Sequence, residues 1–152
     1  MKRTIAMMLV LMLAGTTAQA QDEGFGVGVI LGEPTGLTIK SWFDEHSAID
    51  FATGWSFEGR TSFHIHGSWL YHDFDLIPVE RGALPVYAGI GGRYKYRSGR
   101  GDRLGVRVPV GLAYHFEEVP LEAFAEVGPI VDVAPSTSLR LTGGIGLRWY
   151  LD

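Results

Sequence analysis

The chain has no cysteine among its 152 residues. That excludes a disulfide framework and the acylated cysteine that anchors a lipoprotein. It also lacks a basic excess, with 13 Lys and Arg against 17 Asp and Glu. No basic patch stands out, so nucleic acid is not an expected partner. The first apolar run, Ile5 to Gly15, is about half the twenty residues that a membrane-spanning helix needs. No stretch after Gln21 has a helical period.

What is present begins with an address. Lys2 and Arg3 precede the apolar run, and Ala18-Gln19-Ala20 follows it as an A-x-A site. This predicts a cleaved signal peptide over 1–20 and one mature domain over 21–152. An uncleaved membrane anchor is the alternative. Removing Lys2 and Arg3 leaves eleven basic against seventeen acidic side chains. Glycine is abundant, at 21 residues, or about twice average usage. The length suits one domain.

Beyond Gln21, short alternating runs are separated by turn residues, the pattern of an all-β protein. Leu139, Leu141, Gly143, Ile145, Leu147, Trp149 and Leu151 alternate with Arg140, Thr142, Gly144, Gly146, Arg148 and Tyr150. Strand side chains point to opposite faces in turn, so one face is apolar and the other small or cationic. The division recurs in the runs beginning near Phe25, Ile49, Leu84, Leu104 and Leu121. Two runs, Thr35 to Phe43 and Thr61 to Phe74, alternate less cleanly. About eight strands of roughly nine to twelve residues result, a length suited to tilted transmembrane strands. Turn chemistry joins them at Glu33–Gly36, Asp44–Ser47, Glu58–Arg60, Ser98–Asp102, Glu117–Pro120 and Pro135-Ser136. Only Asp75 to Ala83 is longer. Short links predict an up-and-down antiparallel order, and closure removes the edges. The expected fold is a single closed eight-stranded transmembrane β-barrel.

A soluble lipocalin-like barrel has the same period but turns its apolar row inward, around an apolar ligand. Three features favour the membrane assignment. The polar row carries both signs: Arg93, Lys95, Arg107, Arg140 and Arg148 against Asp50, Glu122, Glu126 and Asp132. Buried charges persist when paired and hydrogen-bonded, and glycine leaves room for them in a narrow lumen. Aromatics collect at strand ends, at Trp42, Trp55, Trp69, Tyr71, Tyr94, Tyr96, Tyr114, Phe116, Trp149 and Tyr150. They predict two girdles at headgroup level. The strand number is even.

On these residues the chain resembles the small outer-membrane β-barrels, OmpX-like proteins and the transmembrane domain of OmpA. The resemblance runs from about Gly24 onward. Gly146-Leu147-Arg148-Trp149-Tyr150-Leu151 looks like the family's assembly signal, which implies recognition by the barrel-insertion machinery. It also implies a Gram-negative outer membrane and contact with its lipids. Two departures stand out: the sequence closes on Leu151-Asp152 in place of a phenylalanine, and the links are short. Short outer links argue against an adhesin or receptor, whose binding residues sit on extended loops.

His64-Ile65-His66-Gly67-Ser68 is the segment that invites chemistry. On a strand, His64, His66 and Ser68 share a face at about 6.5–7 Å spacing. Two histidines so placed suit a shared metal, and His66 beside Ser68 suits a base and a nucleophile. The second pattern resembles the outer-membrane lipid A deacylases, barrels with a His-x-Ser pair, although in that family the pair lies late in the chain. No supporting carboxylate is assigned. The plainer reading makes all three polar lumen residues, and it is preferred: no catalytic residue, metal or cofactor is expected. Gly26-Val27-Gly28 and Gly89-Ile90-Gly91 lie inside strands with no following helix, so they do not read as nucleotide loops. Eight strands enclose a space that side chains fill, which argues against a general pore. The expected role is structural or interactive, with the hydrolase and the lipocalin-like binder as rivals.

Overall fold

The computed structural model describes residues 24–56, 62–97, 101–134 and 136–151. The signal segment and Gln21, the Glu58–Arg60 turn, Ser98 to Arg100, Pro135 and Asp152 lie outside the described residues. Among those described there are nine strands and no helix: β1 (Phe25–Gly32), β2 (Thr35–Trp42), β3 (Ser47–Ser56), β4 (Ser62–Asp73), β5 (Val86–Arg97), β6 (Arg103–Arg107), β7 (Val110–His115), β8 (Leu121–Ala134) and β9 (Ser138–Leu151).

The strands form one antiparallel sheet that closes on itself. Neighbours run β4-β3-β2-β1-β9-β8, then β6 and β7 end to end, then β5, which returns to β4. The ring therefore has eight staves, as the alternation predicts, although one stave is broken. The break falls at Val108-Pro109, because a proline has no N–H to give the ladder. The neighbouring groups still bond across it: the Gly89 amide donates to the Pro109 carbonyl, and the Val108 amide to that of Pro129, both at 3.0 Å. Closure satisfies backbone groups that an open edge would expose.

The pleat decides which side chains meet. In β4, Ser62, His64, His66, Ser68, Leu70 and His72 are buried, while Phe63, Ile65, Trp69 and Tyr71 are exposed. The same alternation holds around the ring. Glycines give the inward row its room: a Cβ at Gly146 would stand 2.5 Å from the Phe124 ring, and one at Gly111 2.6 Å from that of Tyr87. Large interior side chains fit because the facing strand carries none there.

The ring has two ends. β1 starts and β9 finishes at one of them, the termini end, with Phe25 opposite Leu151. Three links lie there. In the tight turn between β2 and β3, Asp44 Oδ1 accepts from the amides of His46 at 2.8 Å and Ser47 at 2.7 Å. These two bonds hold the Asp44 carboxyl below its ordinary range. The longest link, 74–85, crosses the mouth from β4 to β5, and Phe74 packs on Trp42, Ala48 and Tyr150. The Ala83 amide donates to the His115 carbonyl at 3.1 Å and the His115 amide to that of Ala83 at 2.8 Å. The link thus has a physical role: it sets Phe74 as a hydrophobic cap on the buried cluster at one mouth. At the far end the described β1–β2 link is only Glu33-Pro34, where Thr35 Oγ1 accepts from the Gly32 amide at 3.0 Å.

Candidate functional site

The chemistry of this ring is inside it. Among the described residues, sixteen buried side chains are polar or charged, against ten apolar or aromatic ones besides four prolines. That inverts the usual interior. A buried charge costs several kcal/mol unless it is paired and hydrogen-bonded, so the pairing shows what the interior is built to do.

Near the termini end, Glu122 on β8 is a hub. Its Oε2 accepts from Lys40 Nζ at 2.9 Å, His115 Nε2 at 2.9 Å and the Tyr150 hydroxyl at 3.1 Å. Its Oε1 accepts from Arg148 Nη1 at 2.7 Å. Arg148 also donates to Thr38 Oγ1 at 2.9 and 3.1 Å and to Asp50 at 3.3 Å, and its guanidinium sits 3.9 Å from the Phe124 ring centre. Lys40 gives a further bond to His72 Nε2 at 2.8 Å. Because His72 Nδ1 lies 3.1 Å from the His46 carbonyl, which only accepts, the ring proton belongs on Nδ1.

A second centre lies higher. Arg107 Nη2 donates to Glu126 Oε1 at 2.7 Å, and the Tyr87 hydroxyl to Glu126 Oε2 at 2.8 Å. Between the two centres Ile30, Ala52, Leu70, Tyr87, Ala113 and Phe124 form an apolar belt across the lumen. Towards the far end Arg93 pairs with Asp132, and Arg140 and Arg103 approach the same carboxylate at 3.5 and 4.0 Å. Lys95 reaches Glu33 at 3.9 Å.

All nine charges expected in the lumen therefore have an oppositely charged partner, that of Lys95 being Glu33 in the β1–β2 link, and Arg140 is the most exposed of them. Sequence reasoning missed Lys40, His72 and Tyr87 as members of this network. The signal was present: Thr38, Lys40 and Trp42 alternate with Leu37, Ile39 and Ser41. It was blurred by Trp42, a large aromatic on the inward row.

Trp42 is one of two corrections to the expected girdle. Trp42 Nε1 donates to the Tyr150 hydroxyl at 3.1 Å, and both rings are buried within the termini-end mouth. Each has a polar tip that the interior can satisfy, and each falls on the inward phase of its strand. The other expected aromatics point outward. Tyr71, Tyr114, Phe116 and Trp149 lie towards the termini end; Trp55, Tyr94 and Tyr96 lie towards the far end, and Trp69 stands between.

His66 and Ser68 are both buried but make no bond to each other. Arg107 Nη1 donates to His66 Nδ1 at 2.7 Å and to Ser68 Oγ at 2.8 Å. The lone pair a general base needs is thus engaged by a guanidinium, and no carboxylate orients the ring. His64 and His66 stand 5.4 Å apart between ring centres. Among the described residues no group of three His, Asp or Glu side chains could hold a metal ion.

No protein-family model matches the chain, and no curated protein does. Among solved structures it is similar to the N-terminal β-barrel domain of OprF from Pseudomonas aeruginosa. The TM-score is 0.58 at 16% identity, over 82% of this chain and 93% of that one. At that identity the likeness is one of fold: this chain is an antiparallel β-barrel of the same architecture.

Proposed function

We propose that this protein is an integral outer-membrane β-barrel of a Gram-negative envelope, exported by its N-terminal segment, with a structural or interaction role. The observation that carries this reading is the inversion of its two faces. Ion pairs fill the inside, while Leu139 and Leu141, each 75% exposed, head a continuous outer surface of Leu, Val, Ile and Phe. Water penalises such a surface and hydrocarbon does not. An apolar-ligand binder of the lipocalin kind needs the opposite arrangement, with its apolar row inside. The fold shared with the OprF barrel domain adds support.

In this reading the outward aromatics other than Trp69 lie at the two headgroup levels, the termini end faces the periplasm, and the last strand is the part offered to the insertion machinery. The interior is a plug. The apolar belt and the two ion-pair centres span it, so it serves rigidity rather than conduction. Catalysis by His66 and Ser68 is disfavoured because Arg107 holds both. Ser68→Ala should leave the lipid A of expressing cells unchanged by mass spectrometry; a deacylated species that vanishes with Ser68→Ala would favour the hydrolase instead.

The test of the proposal is cell fractionation with gel mobility. The protein should sit in the outer-membrane fraction and migrate differently before and after boiling in SDS. Recovery in the soluble periplasm with no heat-dependent shift would overturn it.

A further inference from the structure

The interior ion pairs leave one region unlike the rest. At the far end, β9 runs on past Gly144, the last residue that β1 pairs. A cavity of about 360 Å³ opens there, bounded by Glu33, Arg93, Arg140, Leu141 and Thr142. Arg93 reaches it from β5 across the lumen and is 1% exposed. Its Nε has no hydrogen-bond partner in the protein, nor do Arg107 Nε, His66 Nε2 and both ring nitrogens of His64. His66 Nδ1 accepts from Arg107, so its Nε2 carries the proton.

Of these groups Arg93 borders the cavity, and the others lie on the same wall of the ring. His66 is the register partner of Arg93 and His64 of Lys95, and His64 and His66 are neighbours. Three of the unpartnered atoms are therefore N–H donors, and His64 supplies a fourth on whichever nitrogen is protonated. Buried donors of this kind call for an acceptor. Glu33, which borders the cavity, is paired with Lys95. The chemistry asked for is a compact acceptor with several lone pairs and negative charge, which an oxyanion presents to the arginine fork.

We propose that the far mouth of the ring binds a small oxyanion, either free phosphate or the phosphate group of a larger molecule, received by Arg93 and Arg140, the two arginines that line the cavity. The apolar belt beneath makes the site a blind vestibule rather than the entrance of a channel. It lies inside the ring, so it does not depend on whether lipid or water wets the outside.

The experiment uses the folded chain in a zwitterionic, phosphate-free detergent and follows arginine Nε–H signals by ¹H–¹⁵N NMR. Inorganic phosphate is titrated against sodium chloride at matched ionic strength. The Arg93 and Arg140 signals should move saturably with phosphate and little with chloride, while Arg81, in the 74–85 link, should respond alike to both. Arg93→Gln and Arg140→Gln should each weaken phosphate binding at least tenfold. If Arg93→Gln fails to fold, Arg140→Gln, at a more exposed position, carries the test alone. A second arm replaces free phosphate with lipid discs bearing a phosphorylated glycolipid. Movement only there assigns the headgroup as the source. No phosphate-specific movement in either arm, or unchanged affinity in a folded variant, would overturn the site.

Discussion

Glu122→Gln is the perturbation whose size follows most directly from the interior. The native carboxylate accepts from Lys40, His115, Tyr150 and Arg148 at once. Glutamine keeps the volume but removes the charge. It also replaces one acceptor oxygen by an amide nitrogen that donates, facing groups that donate already. Lys40 is then left buried without a carboxylate, and Arg148 keeps Asp50, at 3.3 Å, as its carboxylate partner beside its bonds to Thr38. Breaking a buried ion pair by removing one partner costs about 3–5 kcal/mol. That is a large part of the roughly 5–15 kcal/mol that stabilises a typical domain. With a urea slope of about 2 kcal/mol per molar, the unfolding midpoint should fall by about 2 M. The assay is urea unfolding in phospholipid vesicles followed by tryptophan fluorescence. Because the damage is a stranded cation, adding Lys40→Met should restore a good part of the loss, as removal of both partners generally does. A Glu122→Gln variant within about 1 kcal/mol of the parent, or a double variant no better than the single, would refute the hub.

Phe74→Ala should cost about 1–2 kcal/mol, less than a fully buried phenylalanine because Phe74 is half-buried; amides of 74–85 should exchange faster while those of β8 and β9 do not, and uniform change would count against a local cap. The Asp44 carboxyl, held low by the His46 and Ser47 amides, gives support that is present above the ordinary carboxylate range and fades as pH falls through its own lower value. NMR titration should show the His46 and Ser47 amides moving with Asp44 below pH of about 4, and an Asp44 midpoint at or above the ordinary range would contradict the turn. In planar bilayers the protein should give no reproducible conductance steps, since the belt of Ile30, Leu70, Tyr87 and Phe124 crosses the lumen; stable openings would refute the plug.

The fold was legible because its two faces differ in polarity at every second residue. β8 shows this well: Glu122, Glu126 and Asp132 point in, and Leu121, Ala123, Ala125 and Val127 point out. Legibility failed where polarity and direction part company. Leu70 and Ile30 are apolar yet inward, because they build the belt. Gly67 falls on the outward phase of β4 and carries no hydropathy to read. Trp42 and Tyr150 resemble rim aromatics by position but turn inward to bond each other and Glu122. The pairing itself was beyond a one-dimensional reading. Nothing in the spacing of Lys40 and Glu122, 82 residues apart, says that closure brings them together, nor that Arg107 lies between His66 and Ser68. The long link was visible only as an oddity, and its purpose depends on Phe74 reaching a cluster drawn from β2, β3 and β9.

The central claim is that the outer face of this ring meets lipid and the inner face does not. The chain has no cysteine, so single cysteines can be placed at will along β9 and spin-labelled in lipid vesicles. Oxygen, which concentrates in hydrocarbon, should relax labels at 139, 141, 145 and 147 strongly and labels at 140 and 142 weakly, a period of two along the strand. A flat profile, or the opposite phase, would contradict the account.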